Sequence, residues 1–419
     1  MNSRERMSTT LNHRQPDKVA IDFGGTNCST MHVSCIDELR KYYGLPDRVP
    51  KVLEVYTMIG EIEDDLRKII GSDTVGIMGM NTTFGFPREN WKKWTTPQGL
   101  EVLVPGGFNM TADGEGGYYA HPQGDINAPP SGHMPAGGYY FDGLVRQEPF
   151  DDENLNPEDN LEGFTLLNDA ELEYFKDTIT QAWETGEAVV VNMPGMGLGD
   201  AAEVHGCNIK YPKGIRDLEE WYVSPLIRPD YVKAVFEKQT EIAIKNMKAI
   251  NELAGDKIDV AFTCAADFAH QSNTFFSAEI FRNMYLPYFK KANDWIHSNT
   301  KWKILKHCCG AIEPFIPMLI EAGFDALNPV QCSARGMEAE HLKKEYGNDI
   351  VFWGGGVDTQ NILSFGSPEE VRKQVLERCE IFSKNGGFVF NSVHEIQAKT
   401  TIKNIVAMID AVHEFNGDK

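Results

Sequence analysis

Apolar residues along the chain fall into short, nearly continuous runs, separated by longer stretches in which they recur every three or four positions. The runs are Lys18 to Asp22, Thr74 to Met78, Ala188 to Met193, Ile258 to Thr263, Trp302 to Lys306, Phe324 to Val330, Ile350 to Trp353 and Gly387 to Asn391. Short apolar runs without alternation suit strands buried on both faces, and from Ala188 onward each is followed by a helical pattern. The pattern predicts an α/β fold, a (β/α)8 TIM barrel. One unit shows the grammar. Ser367, Pro368 and Glu370 spell a capping box with proline at the first helical position, Val371, Val375, Leu376, Cys379 and Phe382 line one face, and Gly386 stops the helix before the strand GFVFN. The same order recurs where Pro314 to Ala322 is closed by Gly323 before FDALNPV.

Between about residues 81 and 150 the pattern changes, with glycine, proline and aromatics crowded together and no sustained period. The expectation is one barrel domain over 1–419 carrying an insertion at 81–150. Linkers lack aromatics, so Trp91, Trp94, Tyr118, Tyr119, Tyr139, Tyr140 and Phe141 either line an apolar pocket or anchor a long surface loop.

Composition narrows the partners. Forty basic against 61 acidic residues leave a formal charge of −21, which disfavours nucleic acid or an anionic membrane as the main partner. The opening MNSRERMSTTLNHRQPDK lacks the apolar core of a signal peptide, and no window approaches the length of a membrane span, so a cytoplasmic protein is expected. Eight scattered cysteines do not resemble a disulfide framework, and reduced thiols are expected.

The sharpest chemical signal is His307, Cys308, Cys309, Gly310 at the end of a predicted strand. Alternate residues of an extended segment point the same way, so His307 and Cys309 can offer imidazole and thiolate to one metal ion, zinc first among the candidates. The competing reading is a strand end with small buried cysteines and a hydrogen-bonded core histidine. In a barrel, catalytic groups follow the C-terminal ends of strands, and polar residues stand at those places: Asn192, Asp267, His270, Gln271, Gln331, Asp358, Gln360, His394 and Glu395. His394 reads either as a third metal ligand or as a general acid or substrate donor. Asp267 and Asp358 read either as acid–base groups or as helix caps. A site with two or three protein ligands keeps an open position and is catalytic rather than structural.

The stretches HCCGAIEPFIPMLIEAGFDALNPVQ, FWGGGVDTQ and GGFVFNSVHEIQ, with AADFAHQ, FRNMYLPYFKK and the opening RERM...RQPDKVAID, resemble the uroporphyrinogen decarboxylase superfamily. The resemblance spans the N-terminal motif and most of residues 185–415 and leaves the aromatic insertion outside. It implies one of two activities on a TIM barrel: a metal-free decarboxylation of a porphyrinogen, or zinc-dependent methyl transfer to or from a corrinoid on a partner protein. The decarboxylases hold their substrate's carboxylates with arginine near the first strand. Here that segment reads IDFGGTNCSTMH, and no arginine occurs between Arg14 and Arg40. HxCG is similar to the zinc motif of the methyltransferases, which implies His307 and Cys309 as ligands. Where the coenzyme M methyltransferases place a third ligand cysteine, this chain offers His394.

The resemblance thus implies a methyltransferase that moves a methyl group from a small O-methyl donor, such as a methoxylated aromatic, to cob(I)alamin on a separate corrinoid protein, with zinc as Lewis acid. Its expected residues are His307, Cys309 and His394 for metal, and Asp267 and His394 for catalysis. Asn192, Gln271, Gln331, Asp358, Gln360, Tyr139 and Tyr140 are the expected contacts to substrate or corrinoid. Methylcorrinoid-to-thiol transfer, a decarboxylase and a non-catalytic corrinoid carrier are the alternatives. The decarboxylase relatives imply a homodimer.

Overall fold

The computed structural model describes residues 1–418 and contains an eight-stranded, all-parallel sheet. Its strands are β1 (Ala20–Ile21), β2 (Thr74–Ile77), β3 (Ala188–Asn192), β4 (Val260–Cys264), β5 (Lys303–His307), β6 (Ala326–Asn328), β7 (Val351–Trp353) and β8 (Phe388–Phe390). Each lies within or overlaps one of the eight apolar runs. Neighbours in sequence are neighbours in the sheet from β2 to β8, and β8 pairs with β1. The seam between β1 and β2 is closed by Asp73, whose N–H donates to Ile21 O at 2.7 Å and whose carboxylate accepts from Ile21 N at 3.0 Å. Side chains alternate as the strand period requires. Val190, Phe262, Leu305, Val351 and Trp353 fill the interior, whereas Val191, Ala261, Ile304, Leu327 and Phe352 pack outward against the helices.

The helix Ser3–Leu11 plugs the N-terminal end of the barrel, with Met7 and Leu11 joining the interior cluster. Arg6 ties it down through Asp17 and Asp73, at 2.9 and 2.6 Å. The helix Pro368–Phe382 starts with the Ser367–Glu370 capping box and buries Val371, Val375, Cys379 and Phe382, with Leu376 only partly covered. It ends at Phe382, four residues before Gly386, whose φ of +80° instead shapes the turn into β8. Among the described residues no helix is long and apolar enough to cross a membrane.

Residues 81–150 are not irregular chain. They form an antiparallel hairpin, Lys92–Thr95 with Glu101–Val104, and a four-stranded antiparallel sheet spanning Met110 to Gly143. A preceding hairpin, Val52–Glu54 with Ile59–Gly60, packs on the same core. Strands of two to four residues, broken by glycine and proline, are too short for alternation to register in the sequence. Phe84, Phe86, Phe108 and Phe141 are buried in this second core, edge to face or tilted at centroid distances near 6 Å.

Candidate metal centre at the barrel mouth

β5 delivers His307 to the C-terminal mouth of the barrel, and the turn that follows is pinned from both sides. Cys308 N donates to Asn328 O at 2.7 Å, Cys309 N to Asp267 Oδ1 at 2.6 Å, and Gly310 N to Gln331 Oε1 at 2.8 Å. Gly310 has φ +90°, and a Cβ there would fall 2.7 Å from Ala269 O, so no other residue fits without moving the chain. Gln331 is itself held by Gln271, its Nε2 donating to Gln271 Oε1 at 2.8 Å. Cys309 Sγ lies 3.4 Å from His307 Nε2.

His307 is buried, and its tautomer follows from its neighbours. Asn328 Nδ2 donates to Trp353 O at 3.1 Å, which turns Asn328 Oδ1 toward His307 Nδ1 at 2.7 Å. Nδ1 therefore carries the proton and Nε2 presents its lone pair to the mouth, the arrangement in which an outer partner orients a metal-ligating histidine. Burial pushes His307 down to about 4. Burial, with His307 beside it, pushes His394 down to about 3. Both rings are neutral at pH 7, as ligands must be. The two imidazoles meet edge to face at 5.1 Å. His394 Nδ1 accepts from Glu395 N at 2.9 Å, while the Glu395 carboxylate also approaches that nitrogen. Burial raises Asp267 above the ordinary carboxylate range and the Cys309 thiol above the ordinary thiol range.

Two overlapping triads of donors share His307. One is Asp267, His307 and Cys309; the other is Cys28, His307 and His394; in each the donor atoms lie within 4.8 Å of one another. Thiolate, imidazole and carboxylate are the donors zinc takes, and the buried, oriented His307 suits a ligand role, so the residues fit that metal. Cys28 is a donor that the sequence pattern does not single out. It follows β1 by seven residues, in the segment IDFGGTNC, which holds no histidine or second cysteine to mark it as a ligand.

Of the remaining candidates, Gln331, Gln360 and Asn192 line two cavities. One, of about 580 Å³, is lined by Cys309, His394, Gln331, Gln360, Val393 and Phe365, among others. The other, of about 320 Å³, takes in Asn27, Asn192, Asp200, Glu203 and Phe262. Gln271 sits exposed on the rim. Asp358 accepts from Gln360 N at 2.8 Å and Asn361 Nδ2 at 3.0 Å, an Asx turn leading into the helix Ile362–Phe365. Tyr139 and Tyr140 stand behind the larger cavity's wall. Tyr140 Oη accepts from Ala398 N at 2.9 Å, and Lys399 Nζ lies 4.9 Å from the Tyr139 ring centre.

A parallel barrel with a sulfur and nitrogen donor cluster at its C-terminal mouth defines a TIM-barrel protein with a candidate metal site. Residues 209–415, just under half of the chain, match the family model described as Uroporphyrinogen decarboxylase (URO-D). A methyltransferase from Methanosarcina mazei has a similar solved structure, with a TM-score of 0.58 and 15% identity over 99% of each chain, a likeness of fold. The homocysteine methyltransferase MmuM from Escherichia coli, in its apo form, matches 58% of this chain and 87% of its own at 10% identity and a TM-score of 0.25. Comparison with curated proteins gave no match.

Proposed function

We propose that the protein is a corrinoid-dependent methyltransferase, the component of an O-demethylase that takes a methyl group from a small methoxylated aromatic and gives it to cob(I)alamin on a partner corrinoid protein. The observation that carries this reading is the pair of donor triads at the barrel mouth that share His307, one with Asp267 and Cys309 and one with Cys28 and His394, of which Cys309 and His394 line a 580 Å³ cavity. The Methanosarcina mazei methyltransferase, alike in fold, supports it.

His307 and Cys309, with His394 as third donor, are the residues that would hold zinc. Zinc supplies Lewis acidity at the ether oxygen of the methyl donor. A reduced corrinoid on the partner would supply the electron pair that accepts the methyl group; breaking the C–O bond leaves its pair on oxygen, so one proton is needed to release a phenol. Asp267, its Oδ1 3.9 Å from His307 Nε2, would hold and return that proton. Asn328 keeps His307 in the tautomer with Nε2 free. Gln331 and Gln360 can orient polar substituents, and Val393 and Phe365 supply apolar wall for a ring. The test is incubation of the zinc-loaded protein with a reduced corrinoid protein and a panel of methoxylated aromatics. Release of a phenol with methylcobalamin formation is expected. Methylation of a thiol from methylcorrinoid, or consumption of a porphyrinogen without metal, would replace this reading with one of its alternatives.

A further inference from the structure

We infer that Lys306 is a positioning residue of the metal centre, its buried ammonium tying the ends of β4 and β5 together and so setting Asp267 against His307 and Cys309. The inference rests on the metal-dependent reading above and adds to it a residue that acts through the donors rather than as one of them.

Lys306 stands two places after Ile304 on β5 and so on the outer face of the strand, the face on which Ile304, Leu327 and Phe352 meet the helices. It is 0% exposed. An ammonium in an apolar layer is costly unless its protons are bonded or it lies against aromatic faces, and Lys306 has both. Its Nζ lies 4.8 Å from the centre of the Phe268 ring and 5.8 Å from that of Phe289. It donates to Ala266 O at 2.7 Å and to His307 O. These two carbonyls belong to the peptide units that lead into Asp267 and out of His307.

Each unit continues into the donor set. The His307–Cys308 peptide is gripped at both ends, its oxygen by Lys306 and its N–H by Asn328 O at 2.7 Å. Asp267 in turn accepts from Cys309 N at 2.6 Å, and Phe268 N donates to Cys308 Sγ at 3.3 Å. A closed set of contacts therefore runs from Lys306 through Ala266, Asp267 and Cys309 back to His307. It encloses the triad Asp267, His307 and Cys309, whose donor atoms lie within 4.8 Å of one another. A leucine at 306 would fill the same layer and withdraw a donor from both carbonyls. A buried lysine in its place is explained by the pair of strand ends it holds.

The experiment is cobalt(II) substitution of the full chain, comparing wild type with Lys306→Met and Lys306→Arg. Three readings are taken: the visible d–d spectrum, metal affinity by competition with a chelator, and thermal unfolding of the metal-free protein. Lys306→Met is expected to shift the d–d bands and to hold cobalt about 10-fold more weakly. Lys306→Arg, which can still donate to both carbonyls, is expected to recover part of each. A folded Lys306→Met protein with the wild-type spectrum and affinity overturns the inference, whatever its unfolding temperature, because a lysine that only packs the sheet would change stability and leave the centre alone. Failure of both variants to fold also overturns it, by making Lys306 a residue of the fold rather than of the site. These outcomes are separable from failure of the functional reading. If wild type takes up no cobalt, or His307→Ala keeps it, the metal centre is refuted and the role of Lys306 falls with it. If spectra and affinities behave as expected and no methoxylated aromatic releases a phenol, Lys306 stands and the proposed reaction falls.

Discussion

In the barrel, Val189, Val191, Ile304 and Leu327 bury one face of each strand against helices while Ala188, Val190, Leu305 and Ala326 fill the interior. In the antiparallel region at the mouth, strands of two to four residues share one core made largely of Phe84, Phe86, Phe108 and Phe141. The donor triads draw on loops after β1, β4, β5 and β8 of the barrel. The aromatic region instead backs the wall of the larger cavity, through Tyr140 and Ala398. The difference teaches a division of labour. Parallel strands converge polar groups at one end because every strand points there, whereas the aromatic region supplies stability and enclosure.

The largest expected effect breaks the barrel side alone. His307→Ala should abolish metal retention and methyl transfer while leaving the fold intact, checked by metal analysis and by circular dichroism. Phe141→Ala should do the reverse. It is expected to destabilise the antiparallel region by about 3–5 kcal/mol, read by chemical denaturation, with metal content near wild type. Loss of the metal in that variant would show that the two regions are not separable.

Asn328→Ala sharpens the barrel side. Removing the acceptor that fixes His307 Nδ1–H should weaken metal binding by about 10–100-fold, measured by competition with a chelator. A pH prediction belongs to the boundary. His32, between the barrel and Tyr139 and Tyr140, is pushed down to about 4 by burial. The unfolded chain takes that proton near 6.5 and the folded chain resists it, so stability is lost as pH falls from about 6.5 toward 4. His32→Gln should flatten this part of the acid profile, followed by thermal unfolding between pH 7 and 4.5. The smallest effect is Ser367→Ala, which removes a helix cap and should cost about 1 kcal/mol with activity unchanged.

What was legible in the sequence divides along the same boundary. Eight buried strands announce themselves as apolar runs because parallel strands are covered on both faces, and the Ser367 box marks its helix because capping is local chemistry. The His307–Cys309 pair was legible because both sit on one strand end. Cys28 was not, because it reaches His307 and His394 only after a two-residue strand and two glycines carry the chain back over the mouth. Separations of 279 and 366 residues leave no periodic trace. The aromatics of residues 81–150 were visible as composition, but composition does not say which way a ring points. Phe141 proved to be core, and Tyr139 and Tyr140 pack around His32.

The account's central claim is that the mouth of this barrel is a metal centre serving methyl transfer, and metal content tests it most directly. Protein purified without chelator should carry about one zinc per chain, with Cys309→Ala carrying markedly less or none. No zinc in either protein, or equal zinc in both, would contradict the account and return the site to a metal-free reaction in which Asp267 and His394 act alone.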